Sequence, residues 1–369
     1  MTFPQGAEAA VPTILAAFVG AALIALLATP AIRRFFRRQG IIDHPDERRV
    51  HRRPLPRGGG FAVVAGFLVV GGGLAIWSVI DPEAAPVAVG LRPAQLVGLF
   101  LGGLIAAVIG AVDDALDLRA RWQLVGQIAV ALVAVGAGIG VRFIGNPITG
   151  GTIVFPDVVG IAFTVVWIVG MINSLNFIDG LDGLSSGISL IAAVTLGIIS
   201  LTDQVDQPFV AVLCFAFAGG LLGFLRWNFH PAVIFQGTAG VMFLGYTLGV
   251  LSILGTAKVM VALLVLGVPI VDSFWVIVRR LSVGRSPFTP DRGHIHHRLL
   301  DVGLSHRSTV LLIYVMCATL GLMSLFVPVT TSIYAFVAIV LGFGLLVFVL
   351  GRRPTAGLDG PINDDVLRP

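Results

Sequence analysis

Between residues 173 and 184 the chain reads Asn-Ser-Leu-Asn-Phe-Ile-Asp-Gly-Leu-Asp-Gly-Leu, placing two amides and two carboxylates within ten residues. The spacing of three from Asn173 through Asn176 and Asp179 to Asp182 predicts side chains gathered on one side of a helical turn. Gly180 and Gly183 let the backbone turn or approach a ligand closely. Ionisable groups at a membrane surface are costly to keep unless they bind something. The pattern therefore predicts a polar site for a metal ion or a phosphate-bearing substrate.

Other clusters point the same way. Asp113 and Asp114 are adjacent, and neighbouring acids repel unless a cation or a shared proton intervenes; a solvated loop after a span is the alternative. Asp117 reads as a cap or a partner of Arg121. His294, His296, His297 and Arg298 follow Asp291-Arg292-Gly293, and arginine and histidine are natural partners of phosphate oxygens. Zinc is the weaker reading of that run, which has neither a nearby cysteine nor a suitable distant ligand. The loop from His51 to Gly60 is basic and stiffened by prolines. Its His51, Arg53 and Arg57 suit an anionic lipid headgroup or serve as topology anchors.

The elements that must position these groups are apolar helices. Hydrophobic residues make up 56% of the 369, charged residues only 12%, and the mean hydropathy is +0.97. No soluble domain of that length hides so much apolar surface, so the class is an all-α polytopic membrane protein. No alternating ten-residue pattern suggests a barrel. Spans need about 17–25 apolar residues, and eleven are expected: 11–32, 58–80, 95–112, 123–141, 158–175, 184–201, 208–226, 239–255, 258–278, 309–328 and 331–350. A short outer tail, 1–10, precedes this single unit of 11–351, and a disordered cytoplasmic tail, 352–369, follows. Cys214 and Cys317 fall inside spans and read as small core residues, and Trp77, Trp167 and Trp275 as interface or packing residues.

Orientation follows from the basic residues. With the N-terminus outside and the C-terminus in the cytoplasm, only Arg92, Arg142 and Lys258 of the 24 Lys and Arg fall on the outer side. Every polar cluster then lies at an inner span end. A channel or transporter would set ionisable groups near the midplane. A one-sided polar face instead suggests an enzyme acting on a cytosolic substrate and a lipid, with a transporter as a distant alternative.

In their order and spacing, VHRRPLPRGGG, VDDALDLRARWQLVGQ, NSLNFIDGLDGLSSG, GFLRWNFHPAVIFQGTAGVMFLG and the segment from Val271 to Tyr314 resemble the polyprenyl-phosphate N-acetylhexosamine-1-phosphate transferase family, its WecA/TagO-like branch most closely. The resemblance implies eleven transmembrane helices, in agreement with the count above. It also implies attack of a polyprenyl phosphate oxygen on the sugar-linked phosphorus of a UDP-HexNAc, releasing UMP, with Mg²⁺ or Mn²⁺ required. N-acetylglucosamine is the commonest donor sugar, and the product feeds cell-envelope glycan synthesis at the plasma membrane. The family often forms homodimers; a nucleic-acid partner is not expected.

By the same resemblance, Asp113 and Asp114 lie near the lipid phosphate, one of them as a base. A phosphate's second pKa is about 6, so steering a metal matters more there than proton abstraction. Asn176 is implied as a metal ligand, Asn173, Asp179 and Asp182 as organisers of the nucleotide-sugar pocket, and the His294–Arg298 run as the diphosphate holder. Two positions depart from the pattern. Thr238 stands where the family usually carries a metal-binding Asp, and Gln123 where it usually carries a Lys that contacts the diphosphate. Arg119, four residues before Gln123, could reach the same helix face. The expectation is an active transferase whose metal site is rearranged onto Asp113, Asp114, Asn176 and Asp179. The rival is a catalytically weakened homologue that still binds UDP-sugar or lipid phosphate.

Overall fold

A computed structural model of the chain describes residues 4–43, 54–146, 151–254, 258–282, 284, 293–326, 334 and 336–342. Helix α1 (Gln5–Arg38) starts before residue 11, with Pro4 at its N-cap, Glu8 in the first turn and Arg37 and Arg38 in the last. Those charges complement the helix dipole. Strands β1 (Ile42–Asp43) and β2 (Leu55–Pro56) form a short antiparallel ladder with Ile42 opposite Pro56 and Asp43 opposite Leu55. This ladder was not foreseen from the sequence.

A single apolar stretch, Phe61–Ile80, follows. It comprises α2 (Phe61–Phe67), a π-helical turn over Leu68–Gly72 and α3 (Gly73–Ile80). Next come α4 (Pro93–Leu116), α5 (Ala120–Gly136), and a second small antiparallel ladder of β3 (Phe143–Gly145) and β4 (Thr152–Val154). The chain continues through α6 (Asp157–Ile178), α7 (Leu184–Ser200), α8 (Pro208–Asn228) and α9 (Gly237–Ile253). There follow α10 (Lys258–Val265), α11 (Gly267–Ser282), α12 (Ile295–Asp301) and α13 (His306–Phe326), and residues 336–342 are helical as well.

Six of the described helices are long and apolar enough to cross a membrane, and a seventh span is available if α10 and α11 count together. The expected single span 258–278 is in fact bent by 77° between those two helices. Gly267 and Pro269 open the second helix, and proline both lacks a donor and disfavours helix in the residue before it. Helices α5, α7 and α9 are apolar but shorter. The proposed span 331–350 and the tail 352–369 lie largely or wholly outside the described residues.

Helix α8 is central, with 78% of its apolar window buried against 28% for α1. Helix α1 packs on α8, α7 also on α8, and both α4 and α6 on α9. Small residues permit this closeness, the usual device where lipid supplies no hydrophobic drive between helices. A β-carbon on Gly60 would overlap Gly240 of α9, so the start of α2 and α9 meet backbone to backbone. Phe67, Phe217 and Phe243 fill the centre with ring centroids 5.5–6.0 Å apart. Cys214 and Cys317 are buried free thiols, and Trp167 is buried, donating to the Ser252 hydroxyl at 3.0 Å.

Candidate active site

A cavity of about 340 Å³ opens where α4 and α6 end and where α9 and α13 begin. Eight residues singled out from the sequence line it: Arg57, Asp114, Asn176, Asp179, Gly180, Asp182, Thr238 and His297. Sequence reasoning missed Asp43, Asn228, Gln236 and His306, which line it too. Asn228, Gln236 and His306 lie within the quoted segments without having been singled out there, and Asp43 lies in none of them. His51 and Arg53 lie outside the described residues.

Asp114 anchors one wall. Its Oδ1 accepts the Thr238 N–H at 2.9 Å and its Oδ2 the Ala239 N–H at 3.1 Å. A carboxylate thereby satisfies two of the unpaired donors at the start of α9, where the helix dipole also favours negative charge. Gly237 makes room for it: its φ is +74°, and a β-carbon there would sit 2.6 Å from Asp114 Oδ2. Gly59 and Gly60 donate to the carbonyls of Phe235 and Gln236 at 2.8 and 2.9 Å, tying the basic loop to the same turn. Arg57 at the end of that loop is held by an ion pair with Asp43.

Asp113 goes elsewhere. Adjacent helical residues point about 100° apart, and Asp113, only 7% exposed, turns away from the cavity. Its Oδ1 accepts the Leu118 N–H at 3.1 Å and the Gln123 amide at 2.8 Å, locking α4 to α5. The two acids therefore do not share a cation or a proton. Gln123 is spent on Asp113 and on the Leu118 carbonyl at 3.2 Å, while Arg119 is exposed and does not line the cavity.

The spacing of three in the Asn173–Asp182 run does not persist either, because α6 ends at Ile178 and Asp179 leaves the helical region with ψ 41°. Asn173 faces α5, donating to Gln127 Oε1 at 2.6 Å. Asn176, Asp179 and Asp182 do reach the cavity. Asp179 accepts the Ser185 hydroxyl. Burial pushes its carboxyl up from 3.8 to about 7, and the Asp114 and Asp182 carboxylates add to the rise against that hydrogen bond. Asp182 Oδ2 takes His230 Nδ1 at 2.7 Å and the Ala232 N–H at 3.0 Å.

Of the histidine run, only His297 faces the cavity. His294 Nδ1 lies 2.7 Å from Asp272 Oδ2, and Asp272 Oδ1 accepts the Ile295 N–H at 2.8 Å, so one buried carboxylate of α11 both orients His294 and caps α12. His296 is 1% exposed, with its Nε2 directly behind Gly180. Burial holds its ring well below the usual histidine range, and the neighbouring His297, His294 and His306 add to that shift. Phe177, His294, His296 and His297 form a file of rings 4.3–5.7 Å apart. Arg298 donates to the Gly293 carbonyl at 3.1 Å. The run is thus a buttress that presents one imidazole.

The donor set suits a hard divalent cation. Asp114 and Asp179 offer carboxylate oxygens, Asn176 an amide oxygen and Thr238 a neutral hydroxyl, all on one cavity. Burial, with the neighbouring carboxylates adding to it, pushes Asp179 toward neutrality, and a bound cation would relieve that shift.

Residues 96–256 match the family described as glycosyl transferase family 4. The decaprenyl-phosphate N-acetylglucosaminephosphotransferase of Mycolicibacterium smegmatis is 36% identical, with 96% of this chain and 93% of the relative covered. The protein of that name from Mycobacterium tuberculosis is 35% identical over 83% and 81%. The undecaprenyl-phosphate alpha-N-acetylglucosaminyl 1-phosphate transferase of Escherichia coli is 27% identical over 86% and 85%.

Proposed function

The chain belongs to glycosyl transferase family 4, with the polyprenyl-phosphate N-acetylglucosamine-1-phosphate transferases, and we propose from that premise that it transfers N-acetylglucosamine 1-phosphate from UDP-N-acetylglucosamine to a polyprenyl phosphate. An oxygen of the lipid phosphate forms a bond to the sugar-linked phosphorus while the bond from that phosphorus to the bridging oxygen breaks. The products are polyprenyl-diphospho-N-acetylglucosamine and UMP. The observation that carries this reading is one cavity lined by both carboxylates (Asp114, Asp179, Asp182) and basic groups (Arg57, His297, His306). Phosphoryl-type transfer asks chiefly for positioning and charge compensation, and this wall supplies both.

Arg57, held by Asp43, is placed to take the lipid phosphate, and His297 to contact the diphosphate. Asp114, Asp179 and Asn176 would hold Mg²⁺ or Mn²⁺, with Thr238 as a weak fourth donor. The ion, when bound, neutralises charge on the diphosphate. A lipid phosphate is largely ionised near neutrality, so no side chain need abstract its proton. Asp113, Asn173, His294, His296 and Arg298 act as positioning residues for the groups that line the cavity.

Eleven crossings, with the N-terminus outside and the cavity facing the cytoplasm, fit the helices well. Six long helices, the bent pair, the three shorter apolar helices and the apolar stretch 331–350 supply them. The basic residues set the orientation, and 11–351 then forms one transmembrane unit. The test is UMP release by the purified chain with undecaprenyl phosphate, UDP-N-acetylglucosamine and Mg²⁺ or Mn²⁺. Metal-dependent turnover supports the reading. Substrate binding without turnover would favour the weakened homologue, for which the neutral Thr238 hydroxyl on the cavity wall is the specific ground.

A further inference from the structure

Beside the oxygen-rich wall lies a second group of different chemistry. Asp182, His230 and His306 come from three separate segments: the turn after α6, the turn after α8 and the first residue of α13. One ligand atom from each lies within 4.8 Å of the others. His230 and His306 stack with ring centroids 4.0 Å apart and planes 22° from parallel. The segments are tied together, since Arg307 donates to the His230 carbonyl at 3.2 Å and Ala232 donates to Asp182. Both His306 ring nitrogens are shielded from solvent, and neither has a side-chain hydrogen-bond partner among the described residues. A shielded imidazole short of partners is costly unless something else supplies one.

We propose that Asp182, His230 and His306 form a binding site for a borderline divalent transition cation of the Zn²⁺ class, separate from the oxygen site for Mg²⁺. Two imidazoles and one carboxylate are a donor set that zinc favours and magnesium does not. Ligand atoms on one tetrahedral zinc sit about 3.3 Å apart, given metal–ligand distances near 2.0–2.2 Å. The Asp182–His230 contact of 2.7 Å would open slightly to admit the ion, and the wider separations, all under 4.8 Å, would close. Asp182 and His306 both line the cavity, so the fourth position of the ion would lie on the cavity side, open to an oxyanion. The site shares Asp182 and His306 with the cavity invoked for the transfer, and its test reads metal binding, so its failure is distinct from failure of the transferase reading.

The test uses the full chain in detergent, with any affinity tag removed and bound metal stripped by a chelator. Zn²⁺ is restored for X-ray absorption, and Co²⁺ is titrated by visible absorbance. The expected result is one retained equivalent whose scattering shows two imidazole ligands. Binding should be lost in His230→Ala and in His306→Gln and kept in Asp114→Asn. No retained equivalent, no imidazole scattering, or binding that survives both histidine changes would overturn the site. Loss in Asp114→Asn with the histidine variants unaffected would move the ion to the oxygen cluster and overturn it equally. The scattering is read on the unmodified chain, so a variant that fails to fold does not blunt the test. None of these readouts is turnover, so an inactive chain still decides the question.

Discussion

Asp114 and Thr238 stand 124 positions apart in the chain, yet the carboxylate of one accepts the backbone N–H of the other at 2.9 Å. The carboxylate of α4 is therefore a helix cap for α9 and a cavity-lining group at once. Asp114→Asn should keep one acceptor but remove the charge. We expect a stability loss of about 1 kcal/mol, the usual scale of a lost cap, and a fall in kcat of about 100-fold or more. UMP-release kinetics beside thermal unfolding would check this. A large fall in melting temperature with kcat unchanged would refute the second role.

Thr238 meets Asp114 through its hydroxyl as well as its backbone N–H, and it lines the cavity. Thr238→Asp should add a hard anionic donor and lower the Mg²⁺ concentration for half-maximal turnover by about tenfold, equivalent to about 1.4 kcal/mol. A metal titration of both chains measures this. An unchanged or raised requirement would show that the cation does not approach position 238.

Asp179 makes stability depend on pH. Its carboxyl is raised from 3.8 to about 7 in the folded chain, so folding takes up a proton between those values. Stability contributed by the protonated form is complete below about pH 4 and is lost as pH rises through about 7. In the absence of divalent cations the melting temperature should fall from pH 5 to pH 8. Added Mg²⁺ should restore it at pH 8 and do little at pH 5. In Asp179→Asn both the slope and the Mg²⁺ effect should shrink, and a slope that persists there would assign it to another group.

Gly180 has no room for a side chain, because a β-carbon would overlap His296 Nε2. Gly180→Ala should push back the ring file that ends at His297, at an overpacking cost of about 1–3 kcal/mol. We expect a rise in KM for UDP-N-acetylglucosamine that exceeds any rise for the lipid phosphate. Equal effects on the two substrates would point to general loosening of the cavity instead.

The long apolar helices and the dense polar run at 173–184 were legible in the sequence because both are local patterns. What could not be read was which way each polar residue points. Asp113 and Asp114 are indistinguishable as letters, and only the position of α9 separates a strut from a cavity wall. Asn173 lies inside α6 and is taken by Gln127 of α5, while the end of α6 at Ile178, which the regular spacing concealed, redirects Asp179 and Asp182. His294 and His296 looked like ligands until Asp272 and Gly180 claimed them, and Asp272 sits alone in an apolar helix with nothing around it to advertise a partner. His230 and His306, 76 positions apart, meet only through folding. The bend between α10 and α11 was signalled by Gly267 and Pro269, but hydropathy averaged over it.

The order in which the cavity wall appears along the chain has a consequence for biosynthesis. A ribosome delivers Arg57 and Asp114 first, the Asn176–Asp182 turn next, Thr238 later, and His297 and His306 only after most of the helices have emerged. Domains build from the N-terminus as they are made, so a nascent or prematurely ended chain can already sit in the bilayer while its cavity lacks a wall. A product that stops before His297 lacks that part of the cavity wall.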